Sequence, residues 1–455
     1  MDDADTICAI STPTGEGGIG IIRISGKNAH PIVREIFKGR NKHRRFVPRK
    51  LYLGYIINLR DDKELDEVFV VFMRAPYTYT CEDISEIYSH GGYGAQKAVL
   101  SLILDHGARL AEPGEFTKRA FLNGRIDLVQ AESVLDIIRS ETDEELDCAV
   151  KYLRGAISQQ MGQFRKTLQD ALVAVEATID FPEEDIDIKV SDSLGPLRKA
   201  AADITALSDS YYQGKGIKQG FDVLIAGRTN VGKSSLLNTL LTKEKAIVTP
   251  LPGTTRDLIE DTMYLNGVKI NLIDTAGIRK PDNIIEEEGI RRVKEKISEA
   301  DLVVWLLDGS QPYSTEDEEV FRTLGQRRRL VAVNKTDLPQ SLNRNALVSR
   351  NIQWIEISAV TGAGIDALKE KTYLNLTDGF KRNNVPLITN VRHRNLLQNV
   401  KNNIERAVLL MEKEEPFELV AFELREGLDH LGGITGETCT EDILEKIFHQ
   451  FCIGK

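Results

Sequence analysis

The apolar positions change period along the chain. Ile19, Ile21, Ile22 and Ile24 follow a glycine-rich turn, Gly15-x-Gly17-Gly18-x-Gly20, and Val68 to Phe72 is a short β-branched and aromatic run. Both predict strands. Gln96 to His106 has an amphipathic spacing that predicts a helix. The first 120 or so residues therefore read as a mixed α/β or α+β unit. The turn precedes a strand rather than a helix, so it is no dinucleotide fingerprint, and a hairpin turn accounts for it.

From about Leu128 the pattern lengthens. Leu146, Val150, Leu153, Ile157, Met161, Phe164, Leu168, Leu172 and Val175 fall at steps of three and four, which predicts one face of a long helix. Pro182 in Asp180-Phe-Pro-Glu-Glu-Asp185 ends it, because proline disfavours helix at the residue before it. A second helical pattern runs from Leu194 to Leu207, and Gly214-Lys-Gly216 reads as a linker. From about Ile217 to Tyr373 strands alternate with helices. Val223 to Ala226, Ile270 to Ile273, Leu302 to Leu307 and Leu330 to Val333 are short and apolar, as buried parallel strands are. After about Gly379 helix returns, through Asn395 to Met411 and Glu441 to Phe451. An α/β unit thus stands between two helical segments. Either it is inserted into one helical domain or it separates two; insertion is the reading adopted.

Composition narrows the class. At about 150 residues per domain, 455 residues suggest three domains. The formal charge is −10, so the chain as a whole is no nucleic-acid coater. Five scattered cysteines without a Cys-x-x-Cys exclude a zinc ribbon and a disulfide scaffold, and fit a reducing compartment. The N-terminus is acidic and no apolar run spans a membrane, so a cytoplasmic protein without membrane attachment is expected. Between Lys27 and Lys50 lie nine Lys or Arg and one acid, Glu35. That run suits RNA phosphates or a solvated loop.

The chemistry concentrates in the α/β unit. Gly227-Arg-Thr-Asn-Val-Gly232-Lys233-Ser234 is a full P-loop between a strand and a helical pattern, Ser235 to Leu241. Asn230, Val231, Gly232, Lys233, Ser234 and Ser235 would close around phosphates, with Lys233 on the β- and γ-phosphates and Ser234 on Mg²⁺. Asp274, Thr275, Ala276 and Gly277 close a later strand, where the aspartate would hold the metal shell and the glycine N–H sense the γ-phosphate. Asn334, Lys335 and Asp337 follow another strand. A short carboxylate there accepts from N1–H and the 2-amino group of guanine, a donor pair that adenine lacks. Ser358 and Ala359 would back the guanine. Four motifs in order, each at a strand end, predict GTP rather than ATP.

This unit resembles the GTPases of the Era and EngA type. Phe121-Leu-Asn-Gly-Arg-Ile-Asp-Leu-Val-Gln-Ala-Glu132 and the terminal Phe451-Cys-Ile-Gly-Lys455 are narrower, and with them the whole chain resembles the MnmE (TrmE) family of tRNA-modification GTPases. The resemblance implies a multidomain α/β plus all-α fold. An N-terminal α+β folate-binding and dimerisation domain would span 1–119. A helical domain would be built from 120–216 and 379–455, with a Ras-like P-loop G domain, 217–378, inserted between.

No water-orienting glutamine follows Gly277, where Ile278 stands, and no arginine finger is marked. The resemblance supplies substitutes. Asn230 would ligate K⁺, with backbone groups of Thr249, Leu251 and Thr254 completing the site. Thr255 would join Ser234 on Mg²⁺, and Glu286 would orient the water. Glu286, Glu287 and Glu288 are consecutive, so that choice rests on register. Two G domains would pair face to face on GTP. Arg23, Glu82, Arg125 and Lys455 would contact 5-formyl- or methylene-tetrahydrofolate. Cys452, three residues after His449, would be either a thiolate nucleophile or a small residue with a capping role.

The resemblance also implies a homodimer and an FAD- and NADH-dependent partner of the MnmG (GidA) type, in a heterotetramer or larger assembly. The complex would install an aminomethyl or carboxymethylaminomethyl group at C5 of tRNA uridine 34, using a folate one-carbon unit. The competing readings are a ribosome-assembly switch, which would carry an RNA-binding module that the C-terminal flank lacks, and a folate-sensing GTPase without a tRNA product.

Overall fold

A computed structural model describes residues 5–13, 15–40, 46–181, 190–242, 261–274, 300–377 and 386–455. The chain forms two compact units. The first comprises Met1–Arg139, Ala149–Ile204 and Asn395–Lys455, and the second Ser140–Cys148 and Thr205–Arg394.

The first unit contains a seven-stranded sheet. Its strands are β1 (Ile7–Ile10), β2 (Gly20–Ser25), β3 (Phe37–Gly39), β4 (Tyr52–Asn58), β5 (Lys63–Met73), β6 (Ile84–Ser89) and β7 (Arg109–Leu110), in the order β3-β4-β5-β6-β2-β1-β7. Only the β1–β7 pair is parallel. Helices α1 (Ala29–Ile36) and α2 (Tyr93–Asp105) cover one face. Ile22 and Ile24 face that core while Arg23, between them, points to the other side. The period of two thus sorts β2 into an apolar and a functional face. The glycine-rich turn is the connection of the β1–β2 hairpin, and its backbone lies so close to Gly91 that a Cβ there would fall 2.2 Å from the Gly17 carbonyl.

The helical part of this unit begins with α3 (Glu115–Leu122) and α4 (Leu128–Arg139). The long helix predicted over 146–175 is two helices, α5 (Asp143–Leu153) and α6 (Ala156–Asp180). Gly155, at φ 86°, takes the left-handed conformation that breaks the run. The apolar spacing carried no sign of the break because two residues of turn leave the stripe nearly in phase. α7 (Leu194–Asp209) follows, and α8 (Tyr211–Gln219), which belongs to the second unit, occupies the place of the predicted linker. Gly214 and Gly216 are there for close packing, not freedom. A Cβ on Gly214 would lie 2.1 Å from the Ile388 carbonyl, and one on Gly216 would lie 1.9 Å from the Phe221 ring.

The second unit holds a six-stranded sheet. It comprises β8 (Phe221–Ala226), β9 (Asp261–Leu265), β10 (Val268–Asp274), β11 (Leu302–Asp308), β12 (Arg329–Asn334) and β13 (Trp354–Glu356), in the order β13-β12-β11-β8-β10-β9. All neighbours are parallel except β9 and β10. Its named helices are α9 (Lys233–Thr242), α10 (Thr315–Leu324), α11 (Asn345–Val348) and α12 (Ile365–Thr377). Val223 and Ile225 join a core on one face, and Leu224 and Ala226 one on the other. Burial on both faces explains why these strands read as continuous apolar runs. The chain closes with α13 (Val391–Glu412), α14 (Phe417–Thr435) and α15 (Glu441–Phe448). α14 lies against α6, where a Cβ on Gly427 would come within 2.9 Å of Leu168. No described helix is long and apolar enough to cross a membrane.

Candidate functional site

In the second unit every motif lies where a parallel strand ends, the edge at which open α/β sheets bind ligands. β8 ends at Ala226 and the P-loop follows. Gly227 lies against β11, where a Cβ would be 2.5 Å from the Leu306 carbonyl. Asn230 holds φ 60°, a conformation asparagine tolerates, and its side chain is exposed. Gly232, at φ 100°, leaves room for the Asn334 amide, which a Cβ would meet at 2.4 Å. Lys233 donates from Nζ to the carbonyls of Gly227 and Arg228, at 2.8 and 2.7 Å, so its ammonium lies over the loop. Val231 is buried, whereas Ser234 and Ser235 are exposed in the first turn of α9.

Asn334, the last residue of β12, is 2 % exposed and joins two segments. Its Nδ2 donates to the Val231 carbonyl at 2.8 Å, and its Oδ1 accepts from the Ala359 N–H at 2.9 Å. The P-loop and the Ser358–Ala359 turn are therefore one hydrogen-bonded piece. Thr239 of α9 adds a bond to the Ala359 carbonyl at 2.7 Å. Lys335, at φ 65°, reaches back from Nζ to the Asn230 carbonyl at 2.9 Å and to Asp308 at 2.7 Å. Asp337 is exposed, and its Oδ1 accepts from the buried Ser358 hydroxyl at 2.6 Å.

Asp308 is a site residue that sequence reasoning missed. It ends β11 in register with Asn334. Its burial raises its pKa, but the hydrogen bonds from Lys335 and Ser310 outweigh that and hold the carboxyl below its ordinary value. An aspartate closing the apolar run Leu302–Leu307 was the available signal. Arg228 is a second omission. Its Nε lies 3.6 Å from Asp317, which closes the capping box of α10 with Ser314. Asp274 ends β10. Thr249, Leu251, Thr254, Thr255, Thr275, Ala276, Gly277 and Glu286 lie outside the described residues. Among the described residues, no group of three or more histidine, cysteine or acidic side chains could hold a metal.

The first unit contains a separate polar centre. Arg23 of β2 stands opposite Glu86 of β6 and donates to it from Nε at 2.8 Å. Its guanidinium lies 5.4 Å from the Tyr79 ring centroid and 5.7 Å from that of Phe116. Arg125, from the α3–α4 corner, lies 4.5 Å from the same Tyr79 ring. Glu82 accepts from the Ser25 hydroxyl at 2.7 Å and from Arg119 Nη1 at 3.1 and 3.2 Å. Arg119 also donates to Asp5 and Glu115 at 2.6 and 2.9 Å, so Glu82 is held from behind by an ion network.

The C-terminal tail docks on this unit. Phe451 is buried with Phe448, Ala120 and Leu128, and Ile453 forms an antiparallel bridge with Pro113. Gly454, at φ 95°, is forced by the approach of β1, since a Cβ would lie 2.4 Å from the Ile10 carbonyl. Burial and the neighbouring Arg23 charge push the Lys455 ammonium below its ordinary pKa, against the opposing pull of Cys452 and Glu86. Arg23 and Arg125 therefore share one aromatic ring, and Lys455 is within electrostatic range of Arg23. That donor set suits an aromatic ligand with carboxylates. Cys452 is exposed, and among the described residues no hydrogen bond joins it to His449.

Two family models match the chain, the GTP-binding protein TrmE N-terminus over residues 6–125 and the MnmE helical domain over residues 128–452. The tRNA modification GTPase MnmE of Geobacter metallireducens is 43% identical over 99% of either chain. That of Syntrophus aciditrophicus is 45% identical, again over 99% of each. Among solved structures, the G domain of the T. maritima FeoB iron transporter aligns at 29% identity with a TM-score of 0.27, over 34% of this chain and 98% of that one.

Proposed function

The chain belongs to the MnmE family of tRNA modification GTPases, and from that premise we propose that it hydrolyses GTP to drive C5 modification of the wobble uridine of tRNA. The modification is an aminomethyl or carboxymethylaminomethyl group whose one-carbon unit comes from a tetrahydrofolate. A flavin-dependent protein of the MnmG type is the redox partner, and the chain acts as a homodimer whose G domains pair on GTP. The observation that carries the reading is the joining, through Asn334, of the phosphate loop to the Ser358–Ala359 turn. Any nucleotide on the P-loop is thereby set in fixed register with Asp337.

Each residue then has a physical task. Asp337, oriented by Ser358, accepts from the N1–H and 2-amino group of guanine. Lys335 closes over the P-loop from Asp308. Lys233 leaves the carbonyls of Gly227 and Arg228 for the β- and γ-phosphates, gaining a full charge partner for two neutral ones. Ser234 with Thr255 holds Mg²⁺. The exposed Asn230 side chain, with Thr249, Leu251 and Thr254, holds K⁺, and Glu286 orients the attacking water. Held by these residues, the cations would supply positive charge of the kind an arginine finger brings elsewhere.

For the folate, Glu82 is the acceptor for the pterin donor pair, and Arg23, Arg125 and Lys455 hold the carboxylates. Tyr79 offers a ring face for stacking. Cys452 is an exposed thiol close enough to Lys455 to act on its charge.

The test is a nucleoside mass profile of bulk tRNA from cells with and without the chain. Loss of the C5-aminomethyl-type uridines is expected; an unchanged profile overturns the reading in favour of a switch without tRNA chemistry. Hydrolysis should be faster in KCl than in NaCl, and equal rates would remove the K⁺ assignment. Titration with 5-formyltetrahydrofolate should give a heat signal, and its absence would remove the folate site.

A further inference from the structure

A cavity of about 420 Å³ opens in the first unit, and none of its lining residues has a role above. Ser158, Gly162 and Arg165 lie on one face of α6, four and seven residues apart, and line it together. Phe121 from the end of α3 gives it an aromatic wall. Asp127 and Glu437 bring two carboxylates.

The polar atoms are unevenly satisfied. Asp127 is occupied as the cap of α4, accepting from the Gln130 N–H at 2.8 Å. Arg165 pairs with Glu437 through Nη1 only. The Arg165 Nε–H and the Ser158 hydroxyl are buried and have no hydrogen-bond partner among the described residues. Two buried donors without acceptors are costly, and a ligand that supplies acceptors removes the cost. The cavity therefore asks for two acceptors, with a donor for the Glu437 carboxylate, on a ring flat enough to lie on Phe121.

A pyrimidine-2,4-dione edge has that pattern: carbonyl, N–H, carbonyl. Cytosine reverses two of the three positions, with an amino group at C4 and an acceptor at N3. Phosphate is disfavoured, because two carboxylates face a single guanidinium. RNA-binding proteins read unstacked bases in this way, by edge hydrogen bonds and stacking on an aromatic face. We propose that this cavity receives an unstacked uracil base of the RNA substrate. Arg165 and Ser158 donate to the two carbonyls, and Glu437 accepts from N3–H. The inference rests on the tRNA reading above and gives it a base-recognition site in this chain.

Gly162 provides a clean test. Nothing lies within 4 Å of the position its Cβ would take, so Gly162→Leu fills the cavity without displacing backbone or removing a charge. The probes are two synthetic anticodon stem-loops that differ only in uridine or cytidine at the wobble position, titrated by fluorescence anisotropy against the full-length protein. The unmodified chain should prefer the uridine loop by about tenfold or more, the discrimination expected of a matched base edge. Gly162→Leu should abolish the preference while keeping the GTPase rate and thermal midpoint. Arg165→Met should reduce it. A preference that persists in Gly162→Leu overturns the cavity assignment and leaves the tRNA reading intact, as does equal binding of both loops by the unmodified chain. An unchanged nucleoside profile on loss of the chain would fall on the proposed function instead.

Discussion

Asn334→Ala is the most informative single change in the nucleotide unit. It removes one buried side chain but orphans two backbone groups, the Val231 carbonyl and the Ala359 N–H. A buried polar group left unpaired costs about 1–3 kcal/mol, so the two together cost about 2–6 kcal/mol before relaxation. Both groups lie in loops at the sheet edge, where movement recovers part of the cost, so the lower half of that range is expected. The loss falls on nucleotide affinity as well as on folding, because the phosphate loop and the base-backing turn are no longer held in register. At 1.4 kcal/mol per tenfold, a share of about 1.5–3 kcal/mol weakens GDP binding by roughly 10- to 150-fold. Titration with a fluorescent GDP analogue measures this without dependence on hydrolysis. Asn334→Asp is the companion variant. It keeps the acceptor for Ala359 but sets a second oxygen against the Val231 carbonyl, so it should do no better than alanine. If Asn334→Ala binds GDP within about threefold of the unmodified chain and melts at the same temperature, the joint does not set the register, and the argument built on it fails.

Three further outcomes follow from the packing and charges. Asp308 titrates below its ordinary range in the folded chain, since the Lys335 and Ser310 hydrogen bonds outweigh its burial. The stability it contributes is present above the ordinary aspartate pKa and disappears as pH falls through the lowered folded value. Asp308→Asn should therefore lower the urea midpoint at neutral pH, with the gap narrowing below about pH 4, and a gap independent of pH would refute the pairing. Gly216→Ala should destabilise by about 1–3 kcal/mol through overpacking against Phe221, although glycine-to-alanine normally favours a helix. A raised melting temperature would show that α8 yields easily. Iodoacetamide at pH 8 should label the exposed Cys452 well before Cys8, which is fully buried and whose thiol burial pushes up to about 12; mass spectrometry of early peptides decides it.

The fold was legible where the pattern is local. Four strands of the nucleotide sheet, β8, β10, β11 and β12, are predominantly apolar and are visible in the sequence as runs. β9 was not, because it is an edge strand beside an antiparallel partner and its sequence, Asp-Thr-Met-Tyr-Leu, mixes polar and apolar positions. The P-loop and the Asn334 to Asp337 segment were legible because their chemistry is contiguous in sequence. What remained hidden is set by register between distant segments. Arg23 meets Glu86 only because β2 and β6 pair with those residues opposite. Asn334 holds the P-loop only because β8, β11 and β12 are neighbours in the sheet.

The glycines mark the limit of local reading most sharply. Gly214 and Gly216 have the composition of a linker, and no property of the segment itself says otherwise. Their role is decided by Ile388 and Phe221, the first more than 170 residues away in sequence. The same argument applies to Gly454 in the tail. Read alone it is a flexible terminal residue; against the Ile10 carbonyl it is the only residue type that lets the tail lie on β1. Gly162 is the opposite case, a helix-interior glycine with open space beside it. No close approach offsets its cost of about 1 kcal/mol against alanine in a helix interior, and the base site proposed for the cavity gives that open space a use. A glycine is thus a statement about its neighbour's surface, and its meaning appears only once that neighbour is known.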